Sequence, residues 1–146
     1  MILVDSDHLS VLIDRRDARH HSFAARLAEV SDDMLIPVVV AEEHLRGWLA
    51  QIHRLRDPEK LVDPYERLVQ LLSFLAEWEI ARWTAEAAVE FSRLRAARVR
   101  IGTQDLRIAS IALVSDALLL SANLRDFEQV PGLQVEDWLH DDVTRS

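Results

Sequence analysis

Cysteine is absent from this 146-residue chain, which excludes disulfides, zinc–thiolate sites and thiol nucleophiles. Any metal is left to oxygen or histidine ligands. Lysine is reduced to one, Lys60, so positive charge is almost entirely arginine, whose planar fork suits phosphate oxygens. No apolar run approaches the roughly 20 residues that a membrane-spanning helix needs. The opening Met1-Ile2-Leu3-Val4-Asp5 has neither a basic segment nor a cleavage site, and the expectation is a cytoplasmic protein. With three glycines, four prolines and no linker, low-complexity stretch or repeat, residues 1–146 read as one domain with its own core. The six histidines contain no His-Glu-x-x-His spacing, and all are read as non-catalytic.

Acids are abundant instead. A formal charge of -8 argues on average against a nucleic-acid partner, because neutralising phosphate supplies much of that affinity. The average hides a local reversal: Arg93, Arg95, Arg98, Arg100 and Arg107 crowd one stretch, while acids spread elsewhere and end in Glu136-Asp137 and Asp141-Asp142. The arginine run reads either as a phosphate-facing patch or as a solvated helix face.

The acids most worth following stand beside apolar runs. Asp5 and Asp7 follow Ile2-Leu3-Val4, Glu42 and Glu43 follow Val38-Val39-Val40-Ala41, Asp105 opens Leu106-Arg107-Ile108-Ala109, and Asp126 comes soon after Ala117-Leu118-Leu119-Leu120. Carboxylates placed where buried strands end or helices begin can converge in one pocket, and such a group of like charges calls for a divalent cation.

Residues 2–5 are continuously apolar up to Asp5, as in a strand buried on both faces of a parallel sheet, and Ser6 is the expected cap of the helix that follows. Phe23, Leu27 and Val30 mark a second helix, and Met34-Leu35-Ile36 a strand broken by Pro37. A helix is expected from Val38 to about His53, with Glu42 and Glu43 in or near its first turns and an apolar stripe at Leu45, Trp48, Leu49 and Ile52. Another runs from Tyr65 to about Trp78 on Leu68, Leu71, Leu72 and Leu75. A short strand at Ile80–Trp83, a helix capped by Thr84, a helix capped by Thr103 with Asp105 in its first turn, a strand at Ala117–Leu120 and a final strand at Leu133–Val135 complete the pattern. Alternating strands and helices predict an α/β fold with a central, mainly parallel sheet, whose ligands bind beyond the carboxyl ends of its strands.

The run Ile2-Leu3-Val4-Asp5-Ser6-Asp7-His8-Leu9-Ser10 resembles the start of PIN-domain ribonucleases, especially VapC-type toxins of bacterial toxin–antitoxin pairs. Val39-Val40-Ala41-Glu42-Glu43-His44-Leu45-Arg46-Gly47 resembles the second motif, whose acid stands four residues before Gly, which singles out Glu43. Ile101-Gly102-Thr103-Gln104-Asp105-Leu106-Arg107-Ile108-Ala109 resembles the third, with Asp105 as its acid. Leu120-Ser121-Ala122-Asn123-Leu124-Arg125-Asp126-Phe127 resembles the closing segment, with Ser121 where Thr is usual. The resemblance implies a three-layer PIN fold, a Mg²⁺ or Mn²⁺ site and endonucleolytic RNA cleavage leaving 5′-phosphate and 3′-hydroxyl ends. It also implies neutralisation by a cognate VapB-like antitoxin and pairing into a homodimer. The implied metal and catalytic set is Asp5, Glu43, Asp105 and Asp126, supported by Asp7, Ser121 and Asn123. Members often carry an acid where this chain has Asn123, so Asn123 and Asp126 compete for the fourth place.

Each acid has a plainer account. Asp105 and the Glu42–Glu43 pair could simply favour helix N-termini, worth about 0.3–1 kcal/mol each. Asp126 could be a surface acid beside a core Phe127, and Asp7 a cap. Asp5 resists such an account, because an acid closing a buried strand is costly without a partner. Trp48, Trp78, Trp83 and Trp138 are read as core or interface rather than as base-stacking platforms, and apolar surface between residues 38 and 80 as a place for an antitoxin helix or a second copy. Two rivals remain: a PIN-fold binding module that has lost its chemistry, and a haloacid-dehalogenase-type phosphatase. Asp5-Ser6-Asp7 matches the phosphatase's signature, but it needs a late lysine, and Lys60 is mid-chain.

Overall fold

The computed structural model describes residues 1–140; Asp141 and Asp142 of the acidic end lie outside them. Among the described residues five short strands form one sheet in the order β3-β2-β1-β4-β5, and each of their pairings is parallel. They are β1 (Ile2–Val4), β2 (Met34–Pro37), β3 (Glu79–Ala81), β4 (Leu118–Leu120) and β5 (Gln134–Glu136). Parallel strands need crossovers, and among the described residues seven helices flank the sheet: α1 (Ser6–Ile13), α2 (His20–Glu29), α3 (Val38–Arg54), α4 (Val62–Ala76), α5 (Ala85–Ala96), α6 (Thr103–Val114) and α7 (Leu124–Phe127). A 3-10 turn at Pro58–Leu61 carries Lys60 between α3 and α4.

The central strands are apolar throughout because both faces are covered. Leu3, Val4, Ile36, Leu119 and Leu120 are fully buried, packed with Leu9, Phe23, Ile108, Ile111 and Phe127 from the helices. The edge strands stay partly exposed: β5 alternates, and β3 goes from exposed Glu79 to buried Ala81.

Several expected boundaries move. Asp5, not Ser6, caps α1: its side chain accepts from the Ser6 N–H, so the acid that ends β1 also starts the helix. Thr103 lies inside α6, and Gly102 precedes it without a side-chain cap. Thr84 does cap α5, accepting from the Ala87 N–H. Pro37 completes β2 rather than breaking it, pairing with Ala81 at the point where no further ladder bond is needed. Glu42 and Glu43 fall beyond the first turn of α3, which carries no acid. The expected stripes hold except at one position each: Leu45, Trp48 and Ile52 of α3 and Leu68, Leu71 and Leu75 of α4 are buried or partly buried, while Leu49 is 47 % exposed and Leu72 51 % exposed; α3 also buries Val39, Val40 and Ala41. Trp78 lies past α4 and packs on the core, stacked on Phe74. Trp83 lies past β3 and is 39 % exposed, contrary to a core placement.

Candidate active site at the carboxyl edge of the sheet

A helix that follows a parallel strand starts at the carboxyl edge and descends; a helix that precedes one also starts there. This is why α1 and α3, which follow β1 and β2, and α6, which precedes β4, all present their first turns to the edge where Asp5 and Ser121 emerge. Side chains 116 residues apart in sequence thereby touch.

Asp5 is buried at 6 % exposure. Its Oδ2 accepts from Ser121 Oγ at 2.7 Å, and its Oδ1 from the Ser6 N–H at 2.7 Å. Burial, reinforced by the charges of Asp7 and Asp105 and opposed by those hydrogen bonds, pushes its pKa from 3.8 up to about 6. Asp105 is also raised, first by burial, then by Glu43 and Asp126. Asn123 bridges the two acids of this side: its Nδ2 donates at 3.1 Å to Asp105 Oδ2 and at 3.1 Å to Asp126 Oδ2. Glu43 turns inward and accepts from Ser6 Oγ at 2.5 Å, whereas Glu42 points outward. The outer acid takes Gln104 Nε2 at 3.1 Å and Arg46 at 2.7 Å, and the bond from Gln104 and the charge of Arg46 hold its pKa down. One helical position thus separates a pocket acid from a surface acid.

Asp7 behaves differently from its neighbours. Burial raises it, but hydrogen bonds from the His8 ring and from the Ala122 N–H at 2.9 Å outweigh that, and its pKa lies below the ordinary range. The His8 ring is fully buried; its Nε2 accepts from the Trp138 N–H at 3.0 Å, so Nδ1 carries the proton and donates to Asp7 Oδ1 at 2.6 Å. His8 therefore ties the segment after β5 to the turn after β4, a role the sequence reading missed. Its place among Leu9, Val11 and Leu12 on the buried face of α1 was the available signal. His44, its pKa lowered chiefly by burial, donates from Nε2 to the Ser6 carbonyl at 3.2 Å.

The seven positions expected to act together, Asp5, Asp7, Glu43, Asp105, Ser121, Asn123 and Asp126, are joined through hydrogen bonds and mutual charge at one edge. Lys60 stands on the 3-10 turn between α3 and α4 and is a partner in none of these contacts.

The "PIN domain" family profile matches residues 2–133. The chain belongs to the PIN domain family. Relatives agree: it is 32 % identical over 84 residues to the tRNA(fMet)-specific endonuclease VapC of Salmonella typhimurium, covering 55 % of this chain and 64 % of that protein. It is 33 % identical over 69 residues to the Ribonuclease VapC2 of Rickettsia felis, covering 44 % and 52 %. The matched stretch is less than two thirds of each relative's length. Solved structures extend the likeness of fold to nearly the whole chain. VapBC2 from Rickettsia felis, bound to a DNA fragment from its promoter, aligns at TM-score 0.72 and 23 % identity, over 94 % of this chain and 99 % of that one. FitAcB from Neisseria gonorrhoeae aligns at 0.71 and 19 %, over 96 % and 99 %.

Family membership implies a divalent cation. Among the described residues no three His, Asp or Glu side chains stand close enough to hold an ion as they are. The chemistry of the set nevertheless fits a hard cation. Every donor is an oxygen, the acids lie in one another's field, and two of them are held above their ordinary pKa by burial and repulsion that positive charge would relieve.

Proposed function

We propose that this protein is a VapC-type, Mg²⁺- or Mn²⁺-dependent endoribonuclease that a cognate VapB-like antitoxin neutralises. The observation that carries the proposal is the buried Asp5, raised to about 6 and surrounded by further acids. Asp5, Glu43, Asp105 and Asp126 would hold the cation, with Asn123 able to add its carbonyl oxygen. When bound, the cation supplies charge neutralisation for the phosphodiester and lowers the pKa of the attacking water.

The remaining residues act on the acids. Ser121 fixes the rotamer of Asp5 by its hydroxyl and itself accepts from the Asn123 N–H at 3.0 Å, which sets the turn carrying Asn123. Ser6 holds Glu43, and the Asp7–His8 pair anchors the Ala122 backbone. Water adds to phosphorus as the bond to the 3′ oxygen breaks, leaving a 3′-hydroxyl and a 5′-phosphate.

The partner reading rests on the relatives named VapC and on apolar surface. Val38, Leu49, Val62, Tyr65, Val69 and Leu72 of α3 and α4 are exposed. This surface suits an antitoxin helix, and pairing into a homodimer belongs to the same proposal. No helix among the described residues is long and apolar enough to cross a membrane, in keeping with action in the cytoplasm. The test is cleavage of total cellular RNA by antitoxin-free protein with Mg²⁺ or Mn²⁺, against EDTA and Asp5→Asn controls, with the cut ends sequenced. Metal-dependent cuts lost in the variant are expected. Metal binding without cuts would favour the binding-module alternative.

A further inference from the structure

A cleft of about 520 Å³ opens beside the acids, walled by Val38, Val39, Glu42, Trp83, Phe91 and Arg107. Its aromatic wall is built rather than incidental. Trp83 meets Phe91 edge to face, with centroids 5.9 Å apart at 76°, yet keeps 39 % of its surface exposed. The guanidinium groups of Arg95 and Arg107 lie 5.5 Å and 6.0 Å from the Phe91 ring centroid. Arg107 is steadied by donating to Gln104 Oε1 at 2.5 Å, and Gln104 bonds onward to Glu42. Gln104 and Glu42 are the immediate chain neighbours of Asp105 and Glu43, so the cleft opens on α3 and α6, the same two helices that carry those acids.

Resting on the endoribonuclease proposal, we infer that this cleft seats one unpaired RNA base next to the phosphate being cut, with Trp83 as the stacking face. An exposed indole backed by a second ring offers a flat apolar surface that any base can cover. The arginines bring positive charge for the flanking phosphates into a chain that carries a net -8. Part of the arginine run thus has a place: Arg107 in the cleft wall and Arg95 against the Phe91 ring, while Arg93 pairs with Glu90 on the surface.

The test compares wild type, Trp83→Leu and Trp83→Phe on short single-stranded RNAs, each lacking the base at one position around the cut. Melting temperature serves as the check of fold. Two readouts are taken: kcat/KM with Mn²⁺, and affinity for the same RNAs in EDTA by fluorescence anisotropy. Trp83→Leu should lose about tenfold in both, and Trp83→Phe should recover most of it. Removing one particular base should cost wild type about tenfold and cost Trp83→Leu almost nothing more. Cutting and affinity that ignore Trp83→Leu would overturn the base seat, leave the nuclease intact and give the cleft to a protein partner. Absence of all cutting by wild type would sink the nuclease instead. Affinity in EDTA would then still decide the seat: a loss in Trp83→Leu supports it, and none overturns it.

Discussion

In the turn between α1 and α2, Asp17 lies 3.0 Å from Arg19, whose hydrogen bonds pull the carboxyl down to about 2. On α5, the bond from Arg93 likewise holds Glu90 low. At the carboxyl edge of the sheet the same kind of side chain meets the opposite surroundings. Asp5 and Asp105 are raised by burial and by other acids, and no ion pair among the described residues reaches Asp5, Glu43, Asp105 or Asp126. The chain has arginines to spare and places them around its rim. Withholding them from the pocket leaves acids in one another's field, a repulsion that the proposed cation would relieve.

Removing a pocket charge should have the largest effect. Asp5→Asn is expected to lower metal-dependent RNA cleavage by more than about a hundredfold while the protein stays folded, read by initial rates and circular dichroism. Full activity in the variant would break the comparison.

The pH dependence follows from the same acid. A carboxyl whose pKa is higher folded than unfolded favours the fold while protonated. That contribution is complete below the unfolded value near 3.8 and is lost as pH rises through about 6. Metal-free protein should therefore lose on the order of 3 kcal/mol between pH 4 and pH 7 from Asp5. Urea unfolding should show the loss, Asp5→Asn should flatten it, and Mg²⁺ should restore stability at neutral pH. A wild-type profile identical to that of the variant would remove the premise.

Ser121→Ala tests the second rank of contacts. Freed from its hydroxyl donor, Asp5 should rise further in pKa, and cleavage should fall about 10- to 100-fold. Asn123→Asp sharpens the comparison in the other direction. A further acid beside Asp105 and Asp126 should tighten Mn²⁺ binding several-fold by calorimetry and lower the melting temperature of the metal-free protein. The smallest effect belongs to the rim: Glu90→Gln should move the melting temperature by no more than about 2 °C.

Much of the site was legible because it lies in short motifs with local physical meaning. Asp5 closes an apolar run and Asp105 opens a helix, whereas Glu43 was singled out from Glu42 only by the resemblance of the block ending at Gly47 to the PIN motif. His8 was not legible, since its partners at Ala122 and Trp138 come from the far end of the chain. The caps at Asp5 and Gly102 were misplaced because Ser and Thr are good caps in general, and here the strand-to-helix turns leave those places to their neighbours. The stripes of α3 and α4 were legible except at Leu49 and Leu72, which stay exposed because periodicity marks an apolar face without saying how far it is covered.

By itself the sequence determined the alternation of buried strands and helices, and with it a parallel sheet, because apolar runs of that length can be satisfied only between two helical layers. It also determined which acids stand at strand and helix ends. The tertiary structure alone decided which of those acids share a field, which arginines are kept from them, and that Trp83 faces outward beside the pocket. Charge and exposure depend on distance in space, and a linear chain does not carry that distance until it folds.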